Sequence, residues 1–160
     1  ALGRRALARC ADAPSDEAFH EWRKRVKYGW HHAQLLRPLA PTALQAQEAW
    51  LDRLGDGLGD DHDLAVLRAG VLGGPGDLRE AGEVVALVDL VQADLRDRCL
   101  RLGGRVYAES PGALRARVAG YLDAWRDLGP EREVGSIADL AGCARDPLPA
   151  AAVAQSLVRA

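Results

Sequence analysis

Residues 16–33 read DEAFHEWRKRVKYGWHHA, and this stretch decides the fold. Advancing about 100° per residue, as an α-helix does, places His20, Lys24, Lys27 and His31 within roughly 60° of one another, with Arg23 beside them. The same rotation gathers Phe19, Trp22, Val26, Gly29, Trp30 and Ala33 on the opposite side. One face can bury and the other presents cations. Ser15 is placed to cap the helix, with Asp16 and Glu17 in its first turn, and Pro38 and Pro41 close it, so the spacing predicts a helix over 16–37.

Working outward, residues 1–12 (up to about 14 with the breaker that follows) read as the end of an upstream helix or a lead-in. A second helix is expected over 42–58, with Trp50, Leu51, Leu54 and Leu58 on one apolar stripe and Gly55, Gly57 and Gly59 weakening its end. Asp60 can cap a third over 60–72, and Gly73-Gly74-Pro75-Gly76 marks a loop. The longest periodic stretch covers 78–109, where Gly103-Gly104 could bend it. Ser110-Pro111 then restarts the pattern for a last helix to 128. Beyond Gly129 the periodicity fades into an Ala- and Pro-containing tail over 129–160. Five helices with short breaks predict an all-α antiparallel bundle with one long helix.

Composition supports this. The chain has 160 residues, 48% hydrophobic and 28% charged, with only 5% aromatic, which suits one soluble helical domain. A net charge of −2 means that any anion affinity must be local. Cys10, Cys99 and Cys143 form no CxxC pair, so neither a disulfide framework nor a zinc site is suggested, and a cytoplasmic setting is expected. No run approaches the roughly 18 apolar residues of a membrane span. Methionine is absent even at position 1, as expected of a processed or truncated piece of a longer product.

Three features set the stripe on 20–31 apart from an ordinary solvated basic face. Lys24 and Lys27 are the two lysines among 21 basic residues, and both fall on it. No Asp or Glu occurs from 22 through 47, so the carboxylate partners that usually neutralise such a helix are expected to be lacking. All four histidines, 20, 31, 32 and 62, lie in the same third of the chain. Lysine and arginine contact phosphate oxygens directly, and histidine joins as a donor when protonated. A multivalent phosphate anion is the ligand this chemistry suits. A nucleic acid would want exposed aromatics, whereas Trp22 and Trp30 turn to the core.

The residues Phe19-His20-Glu21-Trp22-Arg23-Lys24-Arg25-Val26-Lys27, followed by Leu58-Gly59-Asp60-Asp61-His62-Asp63, resemble the CHAD family, the conserved-histidine α-helical domain. The resemblance implies a helical module over 15–128 that binds inorganic polyphosphate without catalysis, either standing alone or beside a CYTH triphosphatase domain. It implies ligand contacts at His20, Arg23, Lys24 and Lys27, with Asp63 as the acid following Leu58-Gly59. Trp30-His31 stands where many members have an Arg-Tyr pair, so Trp30 is not assigned to the ligand, and His31 is kept as a contact from the stripe itself. The family domain has two related halves, and this chain resembles the second. Association with polyphosphate granules would follow.

Arg98, Arg101 and Arg105 form a second basic stripe that could make an opposite wall, or could pair with Asp94, Asp97 and Glu109. The acid-rich run from Asp56 to Asp63, with His62 inside it, is the competing chemistry, a metal-dependent phosphohydrolase. Such a site needs further converging histidines, and none follows residue 62; no metal or cofactor is expected. No nucleotide-binding loop, nucleophile elbow or HExxH helix is present. A helical adaptor for protein partners would leave the two-lysine stripe without a purpose.

Overall fold

The computed structural model describes residues 2–75 and 77–130, and they form an all-α bundle of five helices. These are α1 (Leu2–Asp12), α2 (Asp16–Leu36), α3 (Pro41–Gly73), α4 (Leu78–Val106) and α5 (Pro111–Leu128), with a 3-10 turn at Arg37–Leu39 between α2 and α3. Part of the tail expected over 129–160, residues 131–160, lies outside the described residues.

Each of α1 to α4 packs on its chain neighbour, and α1 also packs on α4, so the four close into a ring around one core. Phe19, Trp22, Val26 and Ala33 bury the apolar face of α2, against Leu51, Leu54 and Leu58 of α3 and Cys99 and Val106 of α4. Helix α1 adds Cys10 to the same core, with Leu7 packed against it. Trp50 stands at the edge of its expected stripe, about 70° from the centre set by Leu51, Leu54 and Leu58, and is 40% exposed. Burial pushes the Cys10 and Cys99 thiols up to about 11, so both stay neutral near physiological pH.

The two helices expected over 42–58 and 60–72 are one continuous helix of 33 residues. The glycines read as a weak end are contact points. A Cβ on Gly57 would stand 2.9 Å from the Cys99 sulfur, and one on Gly55 3.8 Å from Val26. Each glycine costs helix stability of about 1 kcal/mol relative to alanine, and close helix approach offsets it. The same physics keeps α4 continuous through Gly103, where the Trp22 ring packs and a Cβ would lie 2.5 Å from its Cζ2. Helix α4 ends at Val106, and Ser110 caps α5 by accepting from Ala113 N at 3.1 Å.

At about 1.5 Å per residue α3 and α4 reach roughly 50 and 44 Å, whereas α2 reaches about 32 Å. Their hairpin therefore outruns the bundle, and Leu67, Leu72, Leu87 and Leu90 are exposed along it.

The two glycines of α4 give opposite predictions. Gly103→Ala drives a methyl into Trp22 and is expected to lower unfolding free energy by about 1–3 kcal/mol. Gly104 is exposed with nothing within 4 Å of a Cβ, so Gly104→Ala is expected to raise it by about 0.5 kcal/mol. Urea denaturation followed by circular dichroism measures both, and equal signs would contradict the packing account.

Candidate anion-binding site

The start of α2 is fixed locally, because the Ser15 hydroxyl accepts from Ala18 N at 3.2 Å and Asp16 and Glu17 occupy the first turn. This sets the rotation of everything downstream. Against α3, the helices run antiparallel: Gly29 meets Leu51, Val26 meets Gly55, and Arg23 meets Gly59. One turn further His20 meets His62, ring centroids 5.1 Å apart and planes inclined at 33°.

The predicted stripe therefore divides. His20 and Arg23 are half-buried in the seam between α2 and α3, while Lys24, Lys27 and His31 are exposed along the crest of α2. The Arg23 guanidinium lies over Gly59, where a Cβ would stand 3.6 Å from Nη2 and 3.7 Å from Nε. Arg23 Nε and His20 Nδ1 are buried with no hydrogen-bond partner among the described residues. Polar atoms in that state are costly to leave without a partner. The His31 ring packs edge-on against Trp30, 5.0 Å between centroids, and Trp30 is packed against the core.

One electrostatic expectation is corrected. The stretch 22–47 lacks carboxylates, yet Glu21, one residue before it, reaches forward to Lys24 at 2.6 Å and Arg25 at 3.9 Å. An acid three or four residues before a cation sits on the same helix face, so Glu21 counts among the partners of this stretch. The hydrogen bond from Lys24, and its charge, hold Glu21 below the usual carboxylate range. Both partners are well exposed, and such pairs contribute little and exchange readily for another anion. Lys27 has no carboxylate partner among the described residues.

Behind the seam lies the tie that holds it. Arg96 of α4 donates from Nε to Asp61 Oδ1 at 2.6 Å and from Nη2 to Asp16 Oδ1 at 2.5 Å, with its guanidinium carbon 4.5 Å from the Phe19 ring centroid. Asp61 is almost wholly buried, and its carbonyl also accepts from Gln92 Nε2 at 3.1 Å. Phe19 precedes His20 and Asp61 precedes His62, so one arginine fixes the backbone under both imidazoles. Neither this tie nor the His20–His62 contact was read from the sequence. The signal was the match of Gly55 and Gly59, four apart, with Val26 and Arg23, three apart.

The α4 arginines are placed differently. Arg98 pairs with Asp94, and Arg101 donates to Asp97 at 2.5 Å. Arg98 opens on a groove between α3 and α4 beside Asp60, Asp63 and Leu67, and Arg105 opens on another beside Trp50 and Glu109. They do not face the α2 stripe as a single wall. His62 turns its Nδ1 to Asp63 Oδ1 at 3.3 Å. Among the described residues no three His, Cys, Asp or Glu groups are placed to hold a metal ion.

A family model described as the CHAD domain matches residues 1–71, which hold α1, α2 and nearly all of α3. His20, Arg23, Lys24, Lys27, His31 and His62 lie inside the match, and Arg98, Arg101 and Arg105 lie outside it. No curated protein and no solved structure matches the chain.

Removing Asp61 strands the half-buried Arg96. Asp61→Ala is expected to cost about 3 kcal/mol of unfolding free energy, while Asp16→Ala, whose carboxylate is 53% exposed, is expected to cost under about 1 kcal/mol. Chemical denaturation of the two variants checks the order.

Proposed function

We propose, on the premise that residues 1–71 make this chain a member of the CHAD family, that it binds inorganic polyphosphate along the polar face of α2. CHAD domains are in general associated with polyphosphate binding and are non-catalytic modules. The observation that carries the reading here is the run His20, Arg23, Lys24, Lys27 and His31, in which Arg23 and Lys27 have no carboxylate partner among the described residues. From His20 to His31 the helix rises about 16 Å, a line of contact that suits a chain of phosphates better than a single one.

Each lysine meets a phosphate oxygen as a point charge, and the Arg23 fork can take two oxygens. Binding releases counterions from the polyanion, so affinity falls steeply with salt. No bond is made or broken in this reading. Arg98, Arg101 and Arg105 stay in it as secondary contacts, because the first two must first exchange Asp94 and Asp97 for phosphate. Among the described residues no helix is long and apolar enough to cross a membrane. Location in the cytoplasm, at polyphosphate granules, belongs to the same proposal.

Titration of long-chain polyphosphate against the wild type and Lys24→Ala/Lys27→Ala tests it. The double variant is expected to bind at least tenfold more weakly, with a log–log salt slope shallower by roughly 1.5. Equal affinity in both proteins removes the lysines from the site. Sustained phosphate release from tripolyphosphate with Mg²⁺ or Mn²⁺ would replace the binding reading with an enzymatic one.

A further inference from the structure

The seam presents an imidazole that the α2 stripe does not contain. His62 comes from α3, its ring centroid lies 5.1 Å from that of His20, and it stands one turn from Gly59, over which Arg23 is spread. Glycine at 59 leaves α3 without a side chain between Arg23 and His62. We propose that His62 is a phosphate-binding residue that joins His20 and Arg23 in a clamp across α2 and α3, and that it engages phosphate only when both of its nitrogens are protonated. This rests on the polyphosphate reading above and deepens it by naming a contact from a second helix and the proton that it requires.

The proton requirement follows from the inventory of donors. A neutral imidazole has one N–H. His62 Nδ1 sits 3.3 Å from Asp63 Oδ1, and a carboxylate at that distance favours a proton on Nδ1. Nε2 of the neutral ring is then a lone pair, which repels a phosphate oxygen. A second proton turns Nε2 into a donor and adds a cation, while Asp63 still accepts from Nδ1. His20 reaches the ligand through its own Nε2, because its Nδ1 is buried.

Two imidazolium rings at 5.1 Å repel each other unless an anion lies against both, so anion binding and proton uptake are coupled, and the coupling acts in both directions. The other charged groups around the pair are carboxylates, guanidinium groups and ammonium groups rather than imidazoles. On α2 these are Asp16, Glu17, Glu21, Arg23, Lys24 and Lys27; on α3, Asp60, Asp61 and Asp63; on α4, Arg96 and Arg98. Asp16 and Asp61 are engaged by Arg96, and Glu21 is held below the usual carboxylate range first by its hydrogen bond from Lys24. Binding is therefore expected to tighten as protons become available to the two imidazoles.

The test uses the full chain and two probes, sodium tripolyphosphate and long-chain polyphosphate. Calorimetry at pH 6 and 8, in buffers of different ionisation enthalpy, reads affinity and proton uptake together. Wild type is expected to take up protons and to bind about tenfold more tightly at pH 6 than at pH 8. His62→Gln is expected to lose about tenfold at pH 6, to change little at pH 8, and to take up about half the protons. In the wild type, the His62 and His20 ring resonances are expected to shift together as tripolyphosphate is added. If His62→Gln matches the wild type at pH 6 in affinity and proton uptake, or the His62 resonances stay fixed while ligand binds, the clamp is overturned. Loss of binding in Lys24→Ala/Lys27→Ala would then still uphold the α2 site. A wild type that binds neither probe overturns both. Because His62 is partly exposed, its variant keeps the core, and the helical circular dichroism signal verifies this.

Discussion

Arg96 is the constraint on which the rest depends. A guanidinium drawn out of water must be met by carboxylates or it destabilises the fold, and here Asp61 and Asp16 meet it from two different helices while Phe19 covers its face. A hydrophobic core alone tolerates small rotations and slides of one helix on another. A forked donor shared between a buried carboxylate on α3 and a second carboxylate on α2 limits both. The register of α2 on α3 is thereby set at the level where His20 and His62 meet, and the proposed anion site inherits its geometry from a polar tie in the bundle.

Close approach is the second condition, and glycine supplies it. Gly57 lets the Cys99 sulfur in, Gly103 receives the Trp22 ring, and Gly55 and Gly59 bring the backbone of α3 beneath Val26 and Arg23. Glycine in a helix interior is unfavourable in isolation. Packing repays that cost where a neighbouring side chain fills the space, and does not at Gly104, where nothing lies near. The same residue type thus has two meanings within one helix, and only contact separates them.

The cations of this protein are divided by exposure. On α4, Arg98 and Arg101 each have an acid one turn back and are neutralised where they stand. On α2, Lys24 is met by Glu21, but Arg23 in the seam and Lys27 on the crest have no carboxylate among the described residues. A net charge of −2 is therefore compatible with a locally cationic groove. Sequence order, through the i,i+3 and i,i+4 rule, decides most of this pairing; burial decides which of the remaining groups lack a partner.

The sequence by itself determined the helices and their faces. Ser15, Ser110 and the Gly73 to Pro75 break are local signals, and the 3.6-residue period alone assigned Phe19, Trp22 and Val26 to the core and Lys24, Lys27 and His31 to the outside. Periodicity could not tell that Gly55, Gly57 and Gly59 continue a helix, because whether a glycine ends a helix or seats a neighbour depends on what packs against it. Nor could it bring His62 to His20, forty-two residues away, since that contact is fixed by the register of one helix against another. That register came from tertiary structure, through the shape of the core and the shared carboxylates of Arg96.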